Sequence, residues 1–358
     1  MSELRVLIAG GGTGGHLFPG MAVAQALQSL REVEVRFVGT DRGIEAKAVP
    51  AAGWRLYKLS VSGLYQVGPV KKLLGLLRLP VALGQAVGIL WSFRPQVVIG
   101  VGGYASGPML LAALALGFRT VIQEQNAYPG MTNRVLGRRV PLSFVPFAGL
   151  EGLFKNPVVV GNPIRQEILQ AAATPFQRSE TPFTLALVGG SQGARAVNRA
   201  MVEALPLLKD AGLRVLHQTG KADFEEIKQA YQVAGVTQAE LLPFVTDMAG
   251  WYQRADLVVG RAGSMVAELC AMGRASILVP FPNSSGDHQK KNAQALVAAG
   301  AAVMIEQSEL TGPKLAQEIL TLVQDQQRRL SMEQAAKSLY SGDAALEMAK
   351  KILEFYRL

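Results

Sequence analysis

A chain of 358 residues that is 49% hydrophobic and 18% charged is long enough for two folded domains and too apolar to be disordered. Its single cysteine, Cys270, excludes an internal disulfide, fits a reducing compartment and reads as a small core filler. The formal charge of +9 is uneven, with 17 Lys and Arg against 7 Asp and Glu in residues 1–165 and 19 against 20 in residues 166–358.

A basic first half calls for an anionic partner: a phosphorylated substrate, an anionic membrane surface or nucleic acid. The bases are scattered among leucines, with neither zinc-finger spacing nor an RNA-binding aromatic pattern, so no nucleic-acid partner is expected. The N-terminus does not read as a secretory signal, because Glu3 stands where a basic segment belongs. The most apolar region, Leu73 to Trp91, is interrupted by Arg78, Pro80 and Gln85, whereas a spanning helix needs about 20 nearly unbroken apolar residues.

In chain order, Arg5–Ala9 reads as a strand whose apolar residues Val6–Ala9 are continuous, the pattern of a parallel strand buried on both faces. Gly10-Gly-Gly-Thr-Gly-Gly-His16 follows, then a helix to Leu30, a strand over 33–39, a helix over 42–51 and a strand over 54–59. A basic-apolar helix over 70–92 precedes strand 96–101, the turn Gly102-Gly-Tyr-Ala-Ser-Gly107 and a further helix. Strand 120–124 ends in Glu124-Gln-Asn126, and another helix begins after Pro129-Gly130. The alternation predicts an α/β domain whose ligands bind at the carboxyl ends of parallel strands.

The boundary is expected within Pro157–Arg165 and the Thr, Pro and Ser-rich stretch 172–182. A second series then opens with strand 183–188 and the loop Gly189-Gly-Ser-Gln-Gly193. It runs through strands 213–218, 239–243 and 256–259 to Gly260-Arg-Ala-Gly-Ser-Met-Val-Ala-Glu268 and Asp287-His-Gln-Lys-Lys-Asn292. Residues 313–356 read as helical. The expected division is 1–162, 163–340 and a C-terminal helix, 341–358, that packs back on the first domain.

Gly10–Gly15 satisfies G-x-G-x-x-G after a first strand, with Asp41 at the end of the second, so an NAD(P)-dependent oxidoreductase is one reading. A second glycine loop in the other half favours a ligand held between two domains. A helix N-terminus after the glycine turn at Gly260–Ser264 suits a diphosphate, and Glu268, one turn in, suits ribose hydroxyls. His16 opens the first helix, where an imidazole can accept a proton or bind an oxyanion, and Glu124 lies at a neighbouring strand end. Lys71, Lys72, Leu73, Leu74, Leu77 and Arg78 place bases and leucines at helical spacing, the pattern of an interfacial anchor. No Asp-x-Asp, HExxH or paired cysteines occur, so no metal is expected.

Six stretches together resemble the MurG family of membrane-associated GlcNAc transferases over essentially the whole length. They are Gly10–Gly20, Gly102-Gly-Tyr104, Glu124-Gln-Asn126, Gly161-Asn-Pro-Ile-Arg165, Gly189–Ala194 and Asp287–Asn292. The resemblance implies a GT-B fold, two Rossmann-like doubly wound parallel-sheet domains facing a central cleft. It implies transfer of GlcNAc from UDP-GlcNAc, bound mainly by the second domain, to the lipid I acceptor bound by the first, with no cofactor.

By motif, Thr13, Gly14, Gly15 and Asn126 would reach the donor sugar and phosphates, and Arg165 and Ser191 the diphosphate. Val245 would contact uracil through its backbone, Ser264 and Met265 would open the phosphate-facing helix, Glu268 would hold the ribose and Gln289 the GlcNAc hydroxyls. His16, then Glu124, would be the base of an inverting displacement or a ligand of the acceptor phosphate. Arg261 to Glu268 is one residue shorter than the family's usual spacing, which displaces Ser264–Ala267 from the pattern. The resemblance also implies the cytoplasmic face of the bacterial inner membrane and association with other cell-wall synthesis proteins. The rivals are another GT-B lipid glycosyltransferase, the oxidoreductase and a non-enzymatic nucleotide-sugar sensor.

Overall fold

The computed structural model describes residues 3–41, 43–61, 69–150, 152–174, 182–190, 193–282 and 284–358, with backbone alone at 69–77 and 285. The chain divides into two compact units, one of residues 1–165 with 341–358 and one of residues 166–340.

The first unit runs β1 (Leu4–Ala9), α1 (Gly14–Leu30), β2 (Val33–Gly39), α2 (Glu45–Ala51), β3 (Arg55–Lys58) and α3 (Pro69–Phe93). It continues through β4 (Val97–Gly100), α4 (Ser106–Ala115), β5 (Arg119–Gln123), α5 (Met131–Leu136), β6 (Leu142–Val145) and β7 (Pro157–Val159). All seven strands are parallel, in the order β3-β2-β1-β4-β5-β6-β7. From Val6 to Ala9 both faces of β1 are buried, which explains the apolar run there, while Arg5 is only half-buried. Leu4, Val6 and Ile8 enter one core layer with Leu17 and Val23 of α1, while Leu7 and Ala9 enter the other with Leu90 of α3 and Met109 of α4.

The strand order reverses direction between β1 and β4, the switch point at which doubly wound sheets bind ligands. Ala9 lies beside Gly100 in register, so the turns Gly10–Gly15 and Gly102–Gly107 leave the sheet side by side. The boundary expected within 157–165 and 172–182 overlaps β7, and neither β6 nor β7 is anticipated as a strand. Pro157 begins the edge strand, a position where its missing N–H costs no ladder bond.

The second unit runs α6 (Gln166–Ala173), β8 (Phe183–Val188), α7 (Arg195–Leu208), β9 (Leu213–Gln218), α8 (Phe224–Val233), β10 (Ala239–Leu242) and α9 (Met248–Arg254). Then follow β11 (Leu257–Gly260), α10 (Met265–Met272), β12 (Ser276–Leu278), a 3₁₀ turn at Ser285–Asp287, α11 (His288–Ala298), β13 (Ala302–Met304), α12 (Gly312–Gln324) and α13 (Gln326–Ser338). Its sheet is again wholly parallel, in the order β10-β9-β8-β11-β12-β13, with a switch point between β8 and β11. Val188 pairs with Gly260, which sets the second glycine loop beside the start of α10.

The last element, α14 (Ala344–Tyr356), returns to the first unit. It buries Ala345, Met348, Ala349 and Ile352 in the layer formed by α1 and β1. No helix among the described residues is long and apolar enough to cross a membrane.

Candidate active site

At the switch point of the first unit, Thr13 is the N-cap of α1, and His16 lies in that helix's first turn. The His16 ring rests on Gly102: a Cβ there would stand 2.7 Å from Nδ1 and 2.9 Å from Cε1. At Gly103, a side chain would run into the backbone of Gly11. Glycine at 102 and 103 is therefore what allows the two turns to touch, and both residues have positive φ (89° and 81°).

Glu45, which the sequence reading did not single out, braces the first turn from below. Its Oε2 accepts from the Gly12 N–H at 2.7 Å, and its Oε1 accepts from Thr40 N at 2.9 Å and Thr40 Oγ1 at 2.8 Å. Only 1% of Glu45 is exposed. An acid four residues into a helical stretch that begins after a strand end is the only sequence signal, and its partner lies 33 residues away.

Glu124 is likewise buried, and both of its oxygens are engaged. Oε1 accepts from the N–H groups of Gln125 and Asn126 at 2.9 Å and from Asn126 Nδ2 at 3.1 Å. Oε2 accepts from Gly130 N at 3.0 Å and Asn133 Nδ2 at 2.8 Å. The carboxylate thus folds the 124–133 loop around itself. Half-buried Asn126 follows in the same loop. Arg165, at the end of the unit's first stretch, stacks its guanidinium over Phe18 of α1, 5.6 Å from the ring centre. That contact brings Arg165 to the same helix that carries His16. Gly14 and Gly15 lie in the first turn of α1, Gly14 against Phe18.

In the second unit, Ser191 falls outside the described residues. Residues 189–193 also spell Gly-x-Ser-x-Gly, the pattern of a hydrolase nucleophile turn. The histidine on the adjacent strand, His217, offers no base to such a serine. It is wholly buried, and its Nδ1 and Nε2 pair with Tyr231 Oη and Asn198 Oδ1, each at 3.0 Å. Burial drives its pKa down to about 3.

Ser264 is the N-cap residue of α10, and the Met265 side chain folds back over Gly260. Half-buried Glu268 stands in the first turn, where Tyr252 of α9 donates its hydroxyl to Oε2 at 3.0 Å. Gln289 accepts the Phe281 N–H on Oε1 at 2.9 Å, and its Nε2 lies 3.9 Å from where a Gly263 Cβ would be. Asn292 Nδ2 donates to the Ala262 carbonyl at 3.1 Å. The polar loop before α11 and the turn before α10 are thereby one assembly. Asp287 within it takes a left-handed conformation (φ 56°), which is uncommon for a residue with a side chain.

Arg261 does not point outward. It donates to the carbonyls of Val279 at 3.1 Å and Pro280 at 3.3 Å and to Gln307 Oε1 at 2.7 Å, and burial lowers its pKa to about 10. Val245 is buried in the loop after β10, beside exposed Phe244. Burial pushes the Cys270 thiol up to about 12, so it remains a thiol at neutral pH. Of the basic-apolar helix, Arg78 is exposed; the side chains of Lys71, Lys72, Leu73, Leu74 and Leu77 lie outside the described residues.

Models of two family domains match this chain: the glycosyltransferase family 28 N-terminal domain over residues 6–142 and its C-terminal domain over residues 184–351. A UDP-N-acetylglucosamine--N-acetylmuramyl-(pentapeptide) pyrophosphoryl-undecaprenol N-acetylglucosamine transferase of Syntrophus aciditrophicus is 46% identical over 361 residues, 99% of each chain. The protein of that name from Myxococcus xanthus is 47% identical, covering 97% of this chain and 91% of its own. The chain belongs to glycosyltransferase family 28.

The crystal structure of Acinetobacter baumannii MurG, from the same transferase group, aligns over 98% of this chain and 99% of its own, with 31% identity and a TM-score of 0.82. A putative UDP-N-acetylglucosamine 2-epimerase from Listeria monocytogenes shares the fold alone, at 15% identity and a TM-score of 0.70. Membership of family 28 bears out the GT-B expectation and disfavours the oxidoreductase reading of Gly10–Gly15. The spacing of that loop reflects the demands of a tight strand-to-helix turn, which dehydrogenases and glycosyltransferases share.

Proposed function

We propose that this enzyme transfers GlcNAc from UDP-GlcNAc to the MurNAc 4-hydroxyl of undecaprenyl-diphospho-muramoylpentapeptide, lipid I, to make lipid II in peptidoglycan synthesis. The observation that carries the reading is near-full-length identity of about 46% to transferases of that name. The polar groups at both switch points are of the kinds the reaction needs.

The second unit takes the donor. Glu268, steadied by Tyr252, accepts hydrogen bonds from the ribose hydroxyls, and the Val245 backbone meets uracil. Gln289, with Oε1 occupied by the Phe281 N–H, directs Nε2 to the GlcNAc hydroxyls. The N-terminus of α10 at Ser264 and Met265, the loop at Ser191 and the Arg165 guanidinium meet the diphosphate, whose charge grows as it departs. Thr13, Gly14, Gly15 and Asn126 are the groups of the first unit assigned to the donor sugar and phosphates.

The first unit takes the acceptor. His16 removes the proton from the attacking hydroxyl, and the anomeric carbon inverts as UDP leaves from the opposite face. Glu124, saturated by five donors, shapes the loop beside it and is not available as the base. The enzyme works at the cytoplasmic face of the bacterial inner membrane, attached peripherally through the basic-apolar start of α3 to anionic lipid, where other cell-wall synthesis proteins are its neighbours.

Isothermal titration with UDP and UDP-GlcNAc, followed by transfer to a lipid I analogue, tests the assignment. UDP binding and GlcNAc transfer are expected. A preference for UDP-glucose, or binding of NADH without UDP, overturns it.

A further inference from the structure

The His16 ring is held by a chain of buried amides whose hydrogen-bond directions can be read from backbone atoms of fixed role. The Val101 carbonyl can only accept, and the Gln125 side chain meets it at 2.6 Å, so the atom there is Nε2. The second hydrogen of that Nε2 goes to Gln123 Oε1 at 2.5 Å. Gln123 is oriented by another backbone acceptor: its Nε2 donates to the Glu124 carbonyl and to Asn162 Oδ1, each at 3.1 Å. Gln125 therefore turns Oε1 toward His16, 3.1 Å from Nδ1. An oxygen in that place asks for a donor.

Gln123 and Gln125 are 1% and 4% exposed, so reversing either amide would set oxygen against a carbonyl with no water to relieve it. The contact with Gly102 keeps the ring in the place where this bond is made.

We propose that Gln125, oriented by Gln123, is a positioning residue that holds neutral His16 as the Nδ1–H tautomer and so leaves Nε2 as the ring's proton acceptor. The proposal rests on the reading of His16 as the base. As the acceptor's C4 oxygen bonds to the anomeric carbon, its proton passes to Nε2, and the electron pair of the breaking anomeric bond leaves on UDP. The ring becomes an imidazolium whose Nδ1–H still donates to Gln125 Oε1, and Nε2 later returns its proton to solvent. With the opposite tautomer, Nε2 would already carry hydrogen and could take nothing.

The chain has three histidines, which makes the tautomer directly observable in the full-length protein labelled with ¹⁵N-histidine. Long-range ¹H–¹⁵N correlation above neutral pH should show His16, assigned by its loss in His16→Gln, with hydrogen on Nδ1. His217 supplies an internal contrast. Asn198 spends its amide hydrogens on the Thr219 carbonyl and Asp223, so Asn198 Oδ1 faces His217 Nε2, which must carry hydrogen.

Gln125→Met should abolish the His16 preference and lower kcat by about 10-fold or more, chiefly because the imidazolium Nδ1–H loses the acceptor that stabilises its charge, with little change in acceptor KM or in affinity for UDP-GlcNAc. Hydrogen on Nε2 of His16 in the wild type, or an even mixture, overturns the proposal, as does a preference that survives Gln125→Met. A lost preference with wild-type kcat overturns the base role of His16 and leaves the tautomer assignment standing.

Discussion

Tyr252 donates its hydroxyl to Glu268 Oε2 at 3.0 Å, so the acid assigned to the ribose is anchored from the neighbouring helix. Tyr252 is itself wholly buried, which leaves the bond little freedom. Hydrogen bonds to charged groups contribute roughly 1.5–3 kcal/mol. Tyr252→Phe should accordingly weaken UDP-GlcNAc binding by about 10-fold in calorimetry, while Glu268→Ala should nearly abolish it. Both variants should keep the wild-type circular dichroism. Undiminished donor affinity in Glu268→Ala would remove the ribose assignment.

Glu45 is a wholly internal carboxylate satisfied by three donors, two of them backbone. Glu45→Gln sets an amide hydrogen against either Gly12 N–H or the Thr40 donors, which costs on the order of 1–3 kcal/mol. The expected outcome is a lower thermal midpoint together with reduced transfer activity, because the Gly10–Gly15 turn loses its brace. A variant as active and as stable as the wild type would show that the turn holds its shape without Glu45.

His217 is neutral in the folded chain because burial lowers its pKa to about 3, against 6.5 when exposed. Below pH 6.5 the unfolded chain takes up a proton that the folded chain refuses, so this site's contribution to stability falls as pH falls from 6.5 toward 3. The slope approaches about 1.4 kcal/mol per pH unit within that window. Urea unfolding between pH 5 and 7 should show His217→Gln losing less stability on acidification than the wild type. Parallel curves would mean that His217 is protonated in the fold.

Exposed Arg78, with Lys71 and Lys72, supplies the charge of the basic-apolar helix. Each base near an anionic surface contributes about 1 kcal/mol, so replacing all three with glutamate should lower partitioning onto phosphatidylglycerol vesicles by roughly 100-fold or more. Binding to neutral vesicles should change little. Unchanged sedimentation with anionic vesicles would remove this helix as the anchor.

Much of the architecture is legible in the chain because parallel strands buried on both faces are unbroken apolar runs, as β4, β11 and Val6–Ala9 of β1 show. β6 escapes notice because Ser143 interrupts it, yet that serine is wholly buried. The block 313–356 reads as helical, with a last helix set apart from 341, and is in fact three helices. Their starts are marked by Thr311, Asp325 and Asp343, whose side chains accept from Lys314 N, Arg328 N and Leu346 N.

The candidate site divides in the same way. Glycine turns and the Glu124–Asn126 stretch announce themselves through residue type. The roles of Gln125, Glu45 and Tyr252 do not, because each depends on a partner 109, 33 or 16 residues away that only the fold brings near. Glu124 makes the converse point: an acid at a strand end looks chemically ready until its donors are seen.

The return of α14 to the first unit has a consequence for how the molecule comes into being. Tyr356 donates to the Thr120 carbonyl at 2.7 Å across 236 residues of chain, and Met348 and Ile352 are wholly buried beside α1. A ribosome delivers all of residues 166–340 before it delivers this helix. The domain synthesised first therefore cannot finish its core until the domain synthesised second has emerged, and an apolar groove along α1 stays open throughout. Residues 1–165 expressed alone would carry that groove permanently, so the first unit cannot be isolated as a contiguous fragment without α14 supplied in trans.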